Sequence, residues 1–169
     1  MIRKSRKKNP LTQTSMQLRT LQSLRTIFGS ARTHDTEVRR SCGISGSQLW
    51  ALSEIARFAQ TSGITVNGLS AQMALHQTTT SNLVNSLVER GLIRRERDPA
   101  DQRIVHLRAT AHGKQLLLRT PGPHAGLLVD ALRRLDSAEL EQLSESLQGV
   151  VKLMRRTVDT AAGETLMGE

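Results

Sequence analysis

Four arginines, Arg94, Arg95, Arg97 and Arg103, flank the run Asp98-Pro99-Ala100-Asp101. Guanidinium groups are always charged and donate hydrogen bonds from a planar fork, which suits phosphate oxygens and base edges. Just upstream, Thr78, Ser81, Asn82 and Asn85 recur at spacings of three and four, the spacing of one helix face. Their side chains are short and polar, able to bond base edges or phosphates, and Glu89 is the one charge on that face. Asparagine pairs best with adenine and arginine with guanine. The two sets together point to nucleic acid: a polar reading face beside a basic strip.

The other reactive residues form no comparable set. No phosphate-binding glycine loop, nucleophile elbow or recognisable carboxylate pair is present, so no enzyme is expected. The histidines at 34, 76, 106, 112 and 124 lack ligand spacing, and neither a metal nor a cofactor is expected. Cys42, the single cysteine, excludes an intrachain disulfide and fits a reducing cytosol. Arg39 and Arg40 could favour its thiolate, making Cys42 a candidate redox sensor, although an inert half-buried thiol is the simpler reading.

Composition narrows the frame. Aromatics make up 2% of the 169 residues, so the core must be built from Leu, Val, Ile, Ala and Met, a composition that favours helices. The formal charge of +9 suggests an anionic partner. It is unevenly placed: residues 1–40 hold ten basic and two acidic side chains, and the rest of the chain is nearly balanced. No signal-peptide core or run of about 20 apolar residues occurs, and the chain reads as soluble and intracellular.

The elements that must position the polar face follow from caps and periodicity. Residues 1–10 read as a disordered basic leader. From 11 to about 40, Leu18, Leu21, Leu24, Ile27, Phe28 and Ala31 mark one face of an amphipathic helix ended by Cys42-Gly43. Ser45 and Gln48 form a capping box for a helix to about Ala59. Thr65 caps a short helix, Val66 to Met73; Leu75-His76 make a corner; a second helix runs from Thr78 to Arg90 with Thr80, Leu83, Val84, Leu87 and Val88 inward. Gly91 stops it. Residues 92–108 read as a β-hairpin turning at Asp98–Asp101, with Val105 and Leu107 alternating against His106 and Arg108. Thr110 caps a helix to about Arg119, Pro121-Gly122-Pro123 interrupts it, and a helical pattern resumes from about His124 to Leu135. Asp136 and Glu139 box the start of a last helix faced by Leu140, Leu143, Leu147, Val150, Val151 and Met154. Fraying is expected from Thr160.

The expected fold is thus mainly α with a small β-hairpin wing: a winged helix-turn-helix over 45–110 (helix-turn-helix 66–90, wing 92–108) between N-terminal (11–44) and C-terminal (111–159) helices. The outer helices carry apolar faces that the small centre cannot cover, which implies a partner copy, or else an antiparallel pairing within one subunit.

The stretch from Ile64 to Leu117, and above all the wing and its exit (Asp98-Pro99-Ala100-Asp101-Gln102-Arg103, then Thr110 and Gly113), resembles the MarR family of bacterial transcription regulators. The resemblance spans about residues 15–155 and is weak outside 45–115. It implies a homodimer joined by the terminal helices, with each subunit presenting a recognition helix to half of a palindromic site in double-stranded DNA. It gives Arg103 the place of the family's minor-groove arginine and Asp101 that of the acid bracing it. Arg94, Arg95 and Arg97 are then phosphate contacts, beside Thr78, Ser81, Asn82 and Asn85 on the reading face. A basic residue is common in the family where this chain has Asn82, so an A·T-weighted half-site centre is expected. The resemblance also implies release of DNA when a small effector enters a cleft beside the dimerisation helices, with Trp50 and Arg57 as thin pointers to it and Trp50 better read as core, and repression as the usual outcome. Two alternatives stay open from the residues alone: a winged-helix module that binds protein, and a non-specific architectural DNA binder.

Overall fold

In the computed structural model, which describes residues 10–120 and 122–166, α1 (Pro10–Cys42) is followed by α2 (Gly46–Arg57) and a 3-10 turn over Phe58–Gln60. Then come α3 (Val66–Met73), α4 (Gln77–Glu89), β1 (Ile93–Arg97), β2 (Val105–Ala109), α5 (Ala111–Arg119), α6 (Leu127–Arg133) and α7 (Ser137–Leu166). The order and the caps follow the sequence closely. Ser45 and Gln48 make the reciprocal box, Thr65 accepts from the Gly68 N–H, Thr110 from the Gly113 N–H, and Asp136 and Glu139 exchange bonds at 2.9 Å. No helix among the described residues is long and apolar enough to cross a membrane.

Three expectations need correction. The helix expected from His124 starts only at Leu127, because Gly126 adopts φ +89° and its N–H closes a turn on the Pro123 carbonyl at 2.8 Å. The last helix continues to Leu166, past the point where fraying is expected. The corner after α3 turns on Ala74, at φ +50°, rather than on Leu75-His76. There Leu75 N–H reaches the Ser70 carbonyl and Ala74 N–H the Ala71 carbonyl, a Schellman ending that satisfies two carbonyls of the helix terminus. The expected leader lies, except for Pro10, outside the described residues.

The chain divides into two units at Leu128. In the first, the core gathers Leu49, Leu52 and Ile55 of α2, Leu69 and Met73 of α3, Val84 and Leu87 of α4, and Ile93 and Leu107 of the hairpin. Ile64 adds an antiparallel bridge to Leu107, so the hairpin is stitched to the turn before α3. Asp35 of α1 accepts from the Gly46 N–H at 2.7 Å, so α1 is tied to the amino end of α2. Gly113 is obligatory for a packing reason: a Cβ there would lie 2.2 Å from the Leu92 carbonyl oxygen. Along α1, Leu18 and Phe28 stay about two-thirds exposed, at 60% and 65%. In the second unit, Leu147, Val150, Val151 and Met154 of α7 are exposed as well.

Candidate nucleic-acid interface

Burial of one stripe decides what α4 presents. Thr80, Val84 and Leu87 are buried and Leu83 and Val88 half-buried, which leaves Thr78, Asn82, Asn85 and Glu89 exposed and Ser81 half-exposed. Thr79 is exposed too, so it is not a core residue. Thr80 satisfies its buried hydroxyl on the His76 carbonyl at 3.2 Å. Two further bonds fix the far end of α4: Gln48 Nε2 donates to Ser86 Oγ at 2.7 Å, and Arg90 donates to the Gly43 carbonyl at 3.1 Å. The reading face therefore rides on a helix held along its back.

The hairpin is held differently. Register pairs Ile93 with Ala109, Arg95 with Leu107 and Arg97 with Val105 on one strand face, and Arg94 with Arg108 and Glu96 with His106 on the other. On the second face Glu96 receives Arg94 Nε at 2.5 Å and Arg108 Nε at 2.6 Å. The Arg94 hydrogen bond first, with the charges of both arginines behind it, holds the Glu96 carboxyl below its ordinary range. Arg108 also reaches the carbonyls of Thr61 and Ser62 at 3.3 and 3.2 Å, clamping the strand to the turn before α3.

The wing tip is organised by two aspartates. Asp98 Oδ1 accepts from the Ala100 and Asp101 N–H groups at 2.8 and 3.1 Å, and Asp98 Oδ2 lies 2.9 Å from His106 Nε2. The Ala100 bond, followed by those of His106 and Asp101, lowers the Asp98 carboxyl from its ordinary value. Asp101 Oδ1 accepts from the Arg103 main-chain N–H at 2.9 Å. The brace expected from Asp101 thus acts on the backbone of Arg103 and shapes the turn, while the Arg103 side chain is exposed.

The basic strip is therefore not uniform. All four arginines are exposed, but Arg94 is paired with Glu96 and Arg95 Nη2 donates to Asn85 Oδ1 at 2.6 Å, whereas the side chains of Arg97 and Arg103 make no such bond among the described residues. Sequence reasoning missed the Glu96–Arg108 clamp and the His106–Asp98 contact. The alternation of apolar and polar residues in 105–109, with the same two-residue strand period applied to 93–97, could have shown the first, since it puts Arg94, Glu96, His106 and Arg108 on one face.

The candidate sensing residues are also placed. Cys42 is half-buried, its Sγ 3.1 Å from Thr120 Oγ1 and 3.3 Å from Ser41 Oγ, while Arg39 is engaged by Asp35 at 2.7 Å. Trp50 and Arg57 share one buried carboxylate: Glu54, 2% exposed, accepts from the indole N–H at 3.1 Å and from Arg57 at 2.6 Å. Trp50 also borders a cavity of about 180 Å³ with His34, Asp35, Ser47 and Leu127. Among the described residues no group of three or more His, Cys, Asp or Glu could hold a metal.

Comparison with known proteins agrees with this geometry. Residues 43–104 match the model of the MarR family. The uncharacterized HTH-type transcriptional regulator YsmB of Bacillus subtilis (strain 168) is 24% identical over 135 residues, spanning 80% of this chain and 90% of that protein. The structure of S. aureus MepR in complex with DNA superposes with a TM-score of 0.57 at 20% identity, covering 79% of this chain and 96% of MepR. Streptococcus pneumoniae FabT in complex with DNA gives 0.55 at 20% identity, covering 83% and 98%.

Proposed function

Taking residues 43–104 as a MarR-family winged-helix core, we propose that this protein is a sequence-specific DNA-binding transcription regulator. It acts as a homodimer on a palindromic operator, as a repressor in the cytoplasm whose hold on DNA responds to a ligand or stress. One observation carries the reading. An exposed face of Thr78, Ser81, Asn82 and Asn85 stands beside a wing whose Arg97 and Arg103 are exposed, while the carboxylates of the wing are spent on internal bonds. The α4 face reads base edges in the major groove, with Asn82 favouring adenine and thus an A·T-weighted half-site centre. Arg103 enters the adjacent minor groove, and Arg97, with Arg94 and Arg95 behind it, neutralises phosphate.

Relatives support the assignment: MepR and FabT have each been captured on DNA. The exposed apolar faces of α1 and α7 support a partner copy, since a monomer rarely leaves such surface in water. The cavity beside Trp50 offers room for a small effector.

Selection of bound fragments from genomic DNA, followed by titration of the recovered site and a random duplex at several salt concentrations, tests the reading. The recovered site should bind at least about a thousandfold more tightly than random sequence, and affinity should fall steeply with salt. Equal affinities would mean an architectural binder, and no duplex binding would mean a protein-interaction module.

A further inference from the structure

The junction between α1 and α2 grips the reading helix by two bonds. Gln48 Nε2 donates to Ser86 Oγ at 2.7 Å and Arg90, the C-cap of α4, donates to the Gly43 carbonyl at 3.1 Å, about one turn apart along the helix. We propose that Gln48 is a positioning residue for DNA reading: it fastens α4 to the α1–α2 junction, so that the angle of the reading face is set from α1 as well as from the core. The inference rests on the DNA-binding reading above and adds to it a residue outside the reading face.

Chemistry gives the Gln48 amide one orientation. The Ser45 N–H only donates, so it takes Oε1, at 2.8 Å, and the NH2 is left to donate to Ser86. Ser45 Oγ accepts from the Gln48 N–H at 3.2 Å in return, so one residue holds both the backbone and the side chain of Gln48. A single side chain thus closes the amino end of α2 and grips α4. The other side of the junction is fixed to α1, where Asp35 Oδ1 accepts from the Gly46 N–H at 2.7 Å. Asp35, Gly46 and Ser47 also line the cavity of about 180 Å³ beside Trp50, so Gln48 directly follows a residue of the cavity wall.

Burial decides which side of α4 faces outward, and directional bonds decide how far it is turned. Val84 and Leu87 are buried apolar residues, and apolar contact has no preferred direction. Side chains reach about 5–6 Å from a helix axis, so a turn of about 10° carries a base-contacting atom by about 1 Å. That exceeds the window of roughly 0.5 Å between the short and long limits of an N–H···O bond. The bond at Ser86, next to Asn85 in the chain and about one turn after Asn82, removes that freedom.

The test measures discrimination: the affinity of the full-length protein for its selected operator, for single-base-pair variants of that operator and for random duplex. Ser86→Ala removes the grip and keeps the cap. It should lower the ratio of operator to variant affinity about tenfold, the weight of one base pair, and leave random-duplex affinity and its salt slope unchanged. Gln48→Leu should do the same, and the double variant should be no worse than either single one. Gln48→Glu should match wild type, because a carboxylate accepts from both the Ser45 N–H and the Ser86 hydroxyl. Asp35→Ala, which frees the Gly46 N–H, should lower discrimination in wild type and add nothing to Ser86→Ala. Additive losses in the Gln48→Leu/Ser86→Ala double, or a salt slope reduced by about one in Ser86→Ala, would make Ser86 a DNA contact in its own right and overturn the proposal. Unchanged discrimination in Ser86→Ala, whatever its urea melt, would show that burial alone sets the angle and would overturn it too. So would an Asp35→Ala variant that discriminates like wild type, or one whose loss adds to that of Ser86→Ala. A wild type that binds no duplex, or all duplexes alike, would overturn the DNA-binding reading, and this inference with it.

Discussion

Helix α4 and the β1–β2 wing lie side by side and share one core, yet the parts of the wing outside that core are positioned by other means. The helix is oriented by apolar burial: Val84 and Leu87 are fully buried, and its exposed face carries no positive charge from Thr78 to Glu89. The wing is anchored by the buried Ile93 and Leu107, and the rest of it is oriented by polar bonds: Glu96 with two arginines, Arg108 on loop carbonyls, Asp98 and Asp101 on the N–H groups of the tip. Apolar burial involves no titrating charge and is not screened, whereas exposed charge networks weaken as salt rises and as their carboxylates take up protons. The division suits the roles proposed above for each part. A helix that reads bases needs one fixed rotation, and an arginine hairpin that follows the backbone can tolerate play.

The comparison can be broken most severely from the helix side. Leu87→Ala should cost about 2–5 kcal/mol in a urea melt, the usual loss for a buried leucine. Because α4 is held by this packing, DNA affinity should fall with stability. Gly113→Ala comes next. The added methyl meets the Leu92 carbonyl oxygen at 2.2 Å, and the rigid backbone on both sides must move, at about 1–3 kcal/mol or more. A melt unchanged by Gly113→Ala would show that α5 can slide off the strand without penalty.

The wing should behave the other way round. Arg103→Ala should leave the melt within about 0.5 kcal/mol of wild type, as expected for an exposed side chain, and weaken operator binding by about 1–3 kcal/mol. If affinity at fixed salt does not change, the wing tip does not touch DNA. A stability loss in place of a binding loss would mean that the tip arginine serves the fold, and the contrast between the two regions would fail.

The same contrast explains what was legible in the sequence. Caps and periodicity gave α4 and its buried stripe to within one residue at each end, because burial at three and four residues is written locally. The hairpin was placed equally well by Gly91, the Asp98–Asp101 turn and Thr110. What could not be read were the partners of its charges. Arg94, Arg95 and Arg97 look alike in the sequence and all are exposed, yet one meets Glu96, one meets Asn85 and one meets neither. Those fates depend on strand face and on the nearness of α4, ten positions away at Asn85, which are tertiary facts. Asp101 shows the same limit: its spacing to Arg103 announced a brace, and only the folded turn shows that the brace holds the backbone. Gly126 escaped for a different reason, since a helical apolar pattern runs straight across a residue whose backbone leaves the helix.

The smallest effect expected is also the sharpest separation of the two regions. Asp98 is the hub of the wing tip, with its carboxyl lowered first by the Ala100 N–H, then by His106 and the Asp101 N–H. A carboxylate whose pKa is lower folded than unfolded stabilises the fold above the unfolded value, about 3.9, and that contribution is lost as pH falls through the folded value. Wild type should therefore exceed Asp98→Asn in stability at pH 6, and the gap should narrow below about pH 4. The gap should be small, because the site faces water. Leu87→Ala, whose loss involves no proton, should keep a constant distance from wild type over the same range. An Asp98→Asn gap that did not change with pH would mean that the turn is held by shape rather than by charge, and the wing would then resemble the helix in the way it is built.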